Sequence, residues 1–127
     1  MTHSEHAHAE SFLSRYVFST DHKIIARQYL FTGMFMGLLG GFFAYLIRMQ
    51  LVEPGQDIPL FGPMNFLQYN SVITLHGTIM IFWVAMPMLL AAFGNLLIPL
   101  MVGADDMAFP RLNMLSYQVF LVSTLVL

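Results

Sequence analysis

One histidine, His76, lies inside the longest uncharged stretch of the chain. Between Val72 and Gly103 there is no Asp, Glu, Lys or Arg. A run longer than about 18 such residues reads as a membrane-spanning helix. An imidazole there must find a partner, because hydrocarbon supplies neither water nor a hydrogen bond. A metal, a cofactor, a counter-charge or a backbone carbonyl would each serve. Imidazole suits haem iron when its second ring nitrogen donates to a fixed acceptor, and it also suits copper or zinc. No second histidine follows three or four positions on, so another helix or chain must complete any metal site. Met86 and Met88 are soft copper donors, but the chain holds 11 methionines and most must simply pack.

Other polar residues raise the same kind of question. Asp105 and Asp106 follow the uncharged run directly. They are either solvated loop acids or the mouth of a polar path that captures protons, since acids and amides in a membrane mark proton relays. Asn95 and Asn113 could line such a path by holding ordered water. Arg48 closes an earlier apolar stretch close to three turns after Gly37, on the face shared by Gly33, Gly37, Gly40, Gly41 and Ala44. Small residues in that pattern admit a neighbouring helix backbone or a flat ring. Arg48 either points into the bundle from that face or snorkels to the interface. His3, His6 and His8 form either a metal-binding cluster or a solvated tail.

The elements that must position these groups follow from composition. Of the 127 residues, 57% are hydrophobic and 9% charged, and the mean hydropathy is +0.69. Soluble domains carry about 25% charged residues. With no cysteine, disulfides and thiolate metal sites are excluded. A net charge of −2 gives no electrostatic case for nucleic acid. The expected architecture is an all-α integral membrane protein with two full spans and the start of a third. Residues 1–26 form an N-terminal segment, 27–49 the first span and 50–71 a loop rich in Pro and Gly. Residues 72–103 form the second span, 104–113 another loop and 114–127 a third helix cut short, so the chain reads as a fragment. The second span would be about 48 Å long as ideal helix against about 30 Å of hydrocarbon. Kinks are expected at Pro87 and Pro99.

Loop cations set the orientation. Arg15, Lys23 and Arg27 precede the first span, and Arg111 lies in the second loop. The positive-inside rule therefore places the N-terminus and the Asp105–Arg111 loop in the cytoplasm. Arg48 and His76 then share the outer half of the membrane, and Asp106 lies roughly 45 Å of helical path from His76. Met1–Glu10 lacks the pattern of a signal peptide. A bacterial inner membrane is the expected location, ahead of a mitochondrial one.

Taken together, the residues form a recognisable set. His76-Gly77-Thr78-Ile79-Met80-Ile81-Phe82, Met86-Pro87, Phe93-Gly94-Asn95, Pro99-Leu100-Met101 and Asp106-Met107-Ala108-Phe109-Pro110-Arg111-Leu112-Asn113 resemble subunit I of the haem-copper oxidases, above all cytochrome c oxidase subunit I. Ser19-Thr20-Asp21-His22-Lys23 resembles that family's approach to its first helix. The resemblance implies the N-terminal portion of a bundle of about twelve transmembrane helices. It implies oxygen reduction with electrons from cytochrome c, coupled to proton translocation. The resemblance matches His76 to an axial ligand of a low-spin haem, with haem a the expected type, and Arg48 to an arginine that hydrogen-bonds a ring substituent, the formyl group where the haem is haem a. Tyr69 matches a polar residue near that haem. Asp106 matches the acid at the entrance of a proton uptake channel, with Asn95 and Asn113 as lining amides.

Three positions depart from the family pattern. Asp105 stands where Pro is usual, Met114 where a second Asn is common, and Gln50 where some members carry an acidic cation ligand near Glu53 and Gly55. The copper ligands, the high-spin haem ligand and the second axial histidine are expected beyond Leu127. The family also implies partners: the rest of subunit I, subunits II and III, and the lipid bilayer. A quinol-oxidising relative is one rival reading, and a non-catalytic membrane subunit with a structural His76 is another.

Overall fold

The computed structural model describes residues 16–59, 61–105 and 108–127, and among these it forms three long helices and a short hairpin. The first helix, His22–Val52, starts where the Asp21 side chain accepts the Lys23 amide at 3.1 Å, relieving one of the donors a helix start leaves unmatched. It ends at Glu53, just before Pro54. A two-stranded antiparallel hairpin follows, pairing Asp57 with Pro63 and Ile58 with Gly62. Gly55 and Gly62 take positive φ values of 83° and 69°, which a side chain would disfavour.

The second helix is continuous from Phe66 to Val102 and so begins six residues before the span start expected at Val72. Its start is fixed by a capping box, not by hydropathy. Asn65 accepts the Gln68 amide at 2.9 Å while Gln68 Oε1 accepts the Asn65 amide at 3.0 Å. Hydroxyls on the first turns bond back to the helix, Ser71 to the Leu67 carbonyl and Thr74 to the Asn70 carbonyl, each at 2.9 Å. A left-handed Gly103 (φ 78°) closes the helix. The third helix, Pro110–Val126, begins with proline in its first turn, where the missing N–H matters least. It too starts before the apolar stretch that announces it.

Around Pro87 the second helix changes its hydrogen-bond register. Ile79–Ala85 and Pro87–Ala92 are π-helical, with the Met86 amide on the Ile81 carbonyl and the Phe93 amide on the Met88 carbonyl. Proline cannot donate to the carbonyl four residues back, and its ring crowds that carbonyl. Widening the turn accommodates both constraints. Pro99 sits inside the final α-helical stretch, Phe93–Val102.

Packing is helix on helix. The first helix contacts the second along most of its length and the third near its start. One buried cluster joins Ile25 and Tyr29 of the first helix, Ala92 of the second, and Met114 and Tyr117 of the third. Most of the outer surface is apolar as well: Leu38 is 76% exposed, Leu90 69% and Leu125 80%. A soluble bundle would bury a single stripe on each helix. An apolar exterior on all sides belongs in lipid or against further helices.

Candidate functional site

His76 is partly buried, and its Nδ1 stands 2.8 Å from the main-chain oxygen of Gly40 on the first helix. A carbonyl oxygen can only accept, so Nδ1 carries the proton and donates. In the neutral ring this leaves the lone pair on Nε2. That tautomer and that second hydrogen bond are what a metal-ligating histidine needs. The donor chemistry therefore fits an iron held through Nε2.

Close helix approach makes the bond possible. A Cβ added at Gly40 would stand 2.7 Å from Met80 Sδ and 3.3 Å from Ile79 Cγ2, and one at Gly33 2.8 Å from Met88 Cγ. At Gly37 the nearest atom is a Val84 methyl, 3.7 Å away. Gly33, Gly37 and Gly40 thus form the seam against the second helix, whereas a Cβ at Gly41 would meet nothing within 4 Å among the described residues. The small-residue face divides between a helix contact and open space.

Arg48 is exposed and makes no hydrogen bond or ion pair among the described residues. It lies about 12 Å of helix beyond Gly40, so His76 reaches the glycine backbone and not the arginine. Tyr69, half-buried, lines a separate cavity of about 340 Å³ with Gln50, Leu51 and Pro54 at the hairpin end. In the same region Gln50 Oε1 is buried without a hydrogen-bond partner among the described residues, while Glu53 and Gly55 are exposed.

At the opposite end, Asn95 is only 6% exposed. Asn113 has a buried Nδ2 without a hydrogen-bond partner among the described residues, and its carbonyl accepts from Ser116 Oγ at 2.7 Å. The cluster containing Ala92 and Met114 brings the neighbourhoods of both amides to one core, Asn95 following Ala92 by a turn and Asn113 preceding Met114. Asp106 lies outside the described residues, as do His3, His6 and His8. Asp105 is exposed. Among the described residues no three His, Cys, Asp or Glu side chains converge as metal ligands.

Two features go beyond the sequence reading, which named Gly40 only for its missing side chain. Gly40 matters through its carbonyl, which every residue possesses. A polar ladder joins the first and third helices: Tyr29 Oη to Ser116 Oγ at 2.9 Å, and Thr32 Oγ1 to Tyr117 Oη at 3.1 Å. Hydroxyl-bearing residues inside apolar helices were its only sequence signal.

The fold and this site define an all-α integral membrane protein with a hydrogen-bonded histidine between its first two helices. Residues 24–127 match the family described as Cytochrome C and Quinol oxidase polypeptide I, and the chain belongs to that family. It is 48% identical over 120 residues, 94% of its length, to an alternative cytochrome c oxidase subunit 1 of Bradyrhizobium diazoefficiens, covering 20% of that protein. To cytochrome c oxidase subunit 1 of Mytilus edulis it is 47% identical over 108 residues, 85% of this chain and 19% of the relative. The corresponding subunit of Bacillus sp. matches at 49% over 105 residues, 83% of this chain and 16% of the relative. The chain thus spans about a fifth of the length of these curated relatives.

Proposed function

We propose that this chain forms part of the catalytic subunit of a respiratory terminal oxidase, which reduces dioxygen to water and couples the reaction to proton translocation. The hydrogen bond from His76 Nδ1 to the Gly40 carbonyl carries this reading. It holds the ring in one orientation and one tautomer, with Nε2 as the ligating atom for a low-spin haem, haem a in this reading. When bound, the haem supplies one-electron storage and transfer.

The chain's own residues do the rest. The glycine seam brings the second helix close enough for His76 to reach a main-chain acceptor. Arg48 serves as a donor to a haem substituent towards the outer face, with Tyr69 nearby. Asp106 takes up protons at the inner face, and Asn95 and Asn113 hold water on the way in. Residues 27–49 and 72–103 occupy the bilayer, with the N-terminus and the 104–113 loop on the cytoplasmic side of a bacterial inner membrane. The rest of subunit I would supply a second histidine for that haem and the residues that hold a high-spin haem and CuB, and subunits II and III would complete the assembly. The names of the relatives favour cytochrome c over quinol as electron donor.

Replacing His76 by Ala in the assembled oxidase tests the assignment. The low-spin haem band should disappear from the reduced-minus-oxidised spectrum. An unchanged band overturns it.

A further inference from the structure

A second polar feature lies where the first helix begins, away from His76. A cleft of about 360 Å³ runs between the start of the first helix and the third, walled by Ile24, Phe31 and Leu121, with Arg27 and Tyr117 on its lining. It is a built feature. Gln28 Nε2 donates to the Tyr16 carbonyl, and Gln118 Nε2 on the third helix donates to the Val17 carbonyl at 3.2 Å. Side-chain amides from two helices therefore tie down the segment that forms one rim.

Among the described residues its charge is one-sided. Arg27 is exposed and forms no ion pair among the described residues, and exposed Lys23 lies one turn before it. The neighbouring carboxylate, Asp21, is occupied in capping the helix, 3.7 Å from His22 Nδ1. A guanidinium beside an apolar cleft at the cation-rich end of a span selects an anion that carries a hydrocarbon tail. We infer that this cleft binds an anionic phospholipid of the cytoplasmic leaflet, its phosphate on Arg27 and an acyl chain against Ile24, Phe31 and Leu121.

Size favours lipid over protein. The cleft sits at the lower end of the roughly 300–1,000 Å³ typical of small-ligand sites, whereas a helix is about 10–12 Å across. Location agrees, because anionic lipids draw Lys and Arg at that surface by about 1 kcal/mol each, equivalent to about fivefold in affinity. The site rests on the proposed orientation, with the start of the first helix at the cytoplasmic surface of a bilayer, and not on the haem or proton assignments.

The test uses the assembled oxidase, delipidated in neutral detergent and titrated with phosphatidylglycerol carrying a photoreactive acyl chain. Cross-links should map to peptides around Ile24–Phe31 and Tyr117–Leu121. Phosphatidylcholine with the same chains should label them far less. Arg27→Gln should raise the half-saturating concentration about fivefold, Arg27→Lys should largely restore it, and the haem spectrum should not change. In the wild type, labelling should weaken as salt rises from about 0.01 to 1 M, which shortens the Debye length from about 30 to 3 Å. Equal labelling by both lipids, indifference to Arg27→Gln, or cross-links from the cleft to another protein segment would each overturn the inference.

Discussion

His76 and Gly40 show how a residue far away in sequence decides what a side chain can do. The Nδ1 bond exists because the two helices meet where Gly40 has no side chain. Gly40→Val tests this directly. A Cβ there meets the adaptable Met80 thioether but also the branched, stiff Ile79. The second helix must move away, at a cost of about 1–3 kcal/mol, and Nδ1 loses its acceptor. The expected outcome is a lower thermal midpoint for the assembly together with a shifted or broadened low-spin haem band. Gly41→Ala, entering open space, should change stability by no more than about 0.5 kcal/mol. Equal effects at both positions would remove the special role of Gly40. Sequence alone placed a histidine in hydrocarbon and required a partner for it. It left four kinds of partner open, because a carbonyl 36 positions away carries no side-chain signature. For Asn95 the sequence raised a water-lined path, and what the structure adds is that the amide is buried, 6% exposed.

At the scale of elements, hydropathy located the helices but not their starts. The second helix begins at Phe66 because Asn65 and Gln68 cap one another, a pattern present in the sequence but set among polar residues that read as loop. Asn65→Ala should cost about 1 kcal/mol, as removal of a helix N-cap does, and Asn65→Asp should retain most of that. Hydrogen exchange checks it through faster exchange at the Gln68 amide, which Asn65 Oδ1 accepts at 2.9 Å. Unchanged protection would mean that the hairpin, not the cap, holds the helix start. The π-helical stretches were not legible. Proline marks a disturbance at position 87, but whether the helix kinks or widens depends on its neighbours. Here Met88 must meet Gly33 while Met80 meets Gly40, and a widened turn keeps both contacts on one seam.

For the whole molecule, composition announced a membrane protein, but the way its helices hold together came only from the structure. Lipid tails are as apolar as leucine, so burial of apolar surface gives little drive for helices to associate in a bilayer. The two interfaces solve this differently. The first and second helices use close backbone approach at Gly33 and Gly40. The first and third use the Tyr29–Ser116 and Thr32–Tyr117 hydrogen bonds, reinforced by ring contacts of Tyr29 with Tyr117 at 5.1 Å and with Phe120 at 5.4 Å. Tyr29→Phe keeps the rings and deletes one bond. Interhelical hydrogen bonds in a membrane average about 0.6 kcal/mol, so the loss should be modest. Combining it with Ser116→Ala should cost less than the sum of the two, because they share that bond. Denaturant titration of the assembly in detergent measures this. Strict additivity would show that the hydroxyls act separately and that ring packing alone docks the third helix.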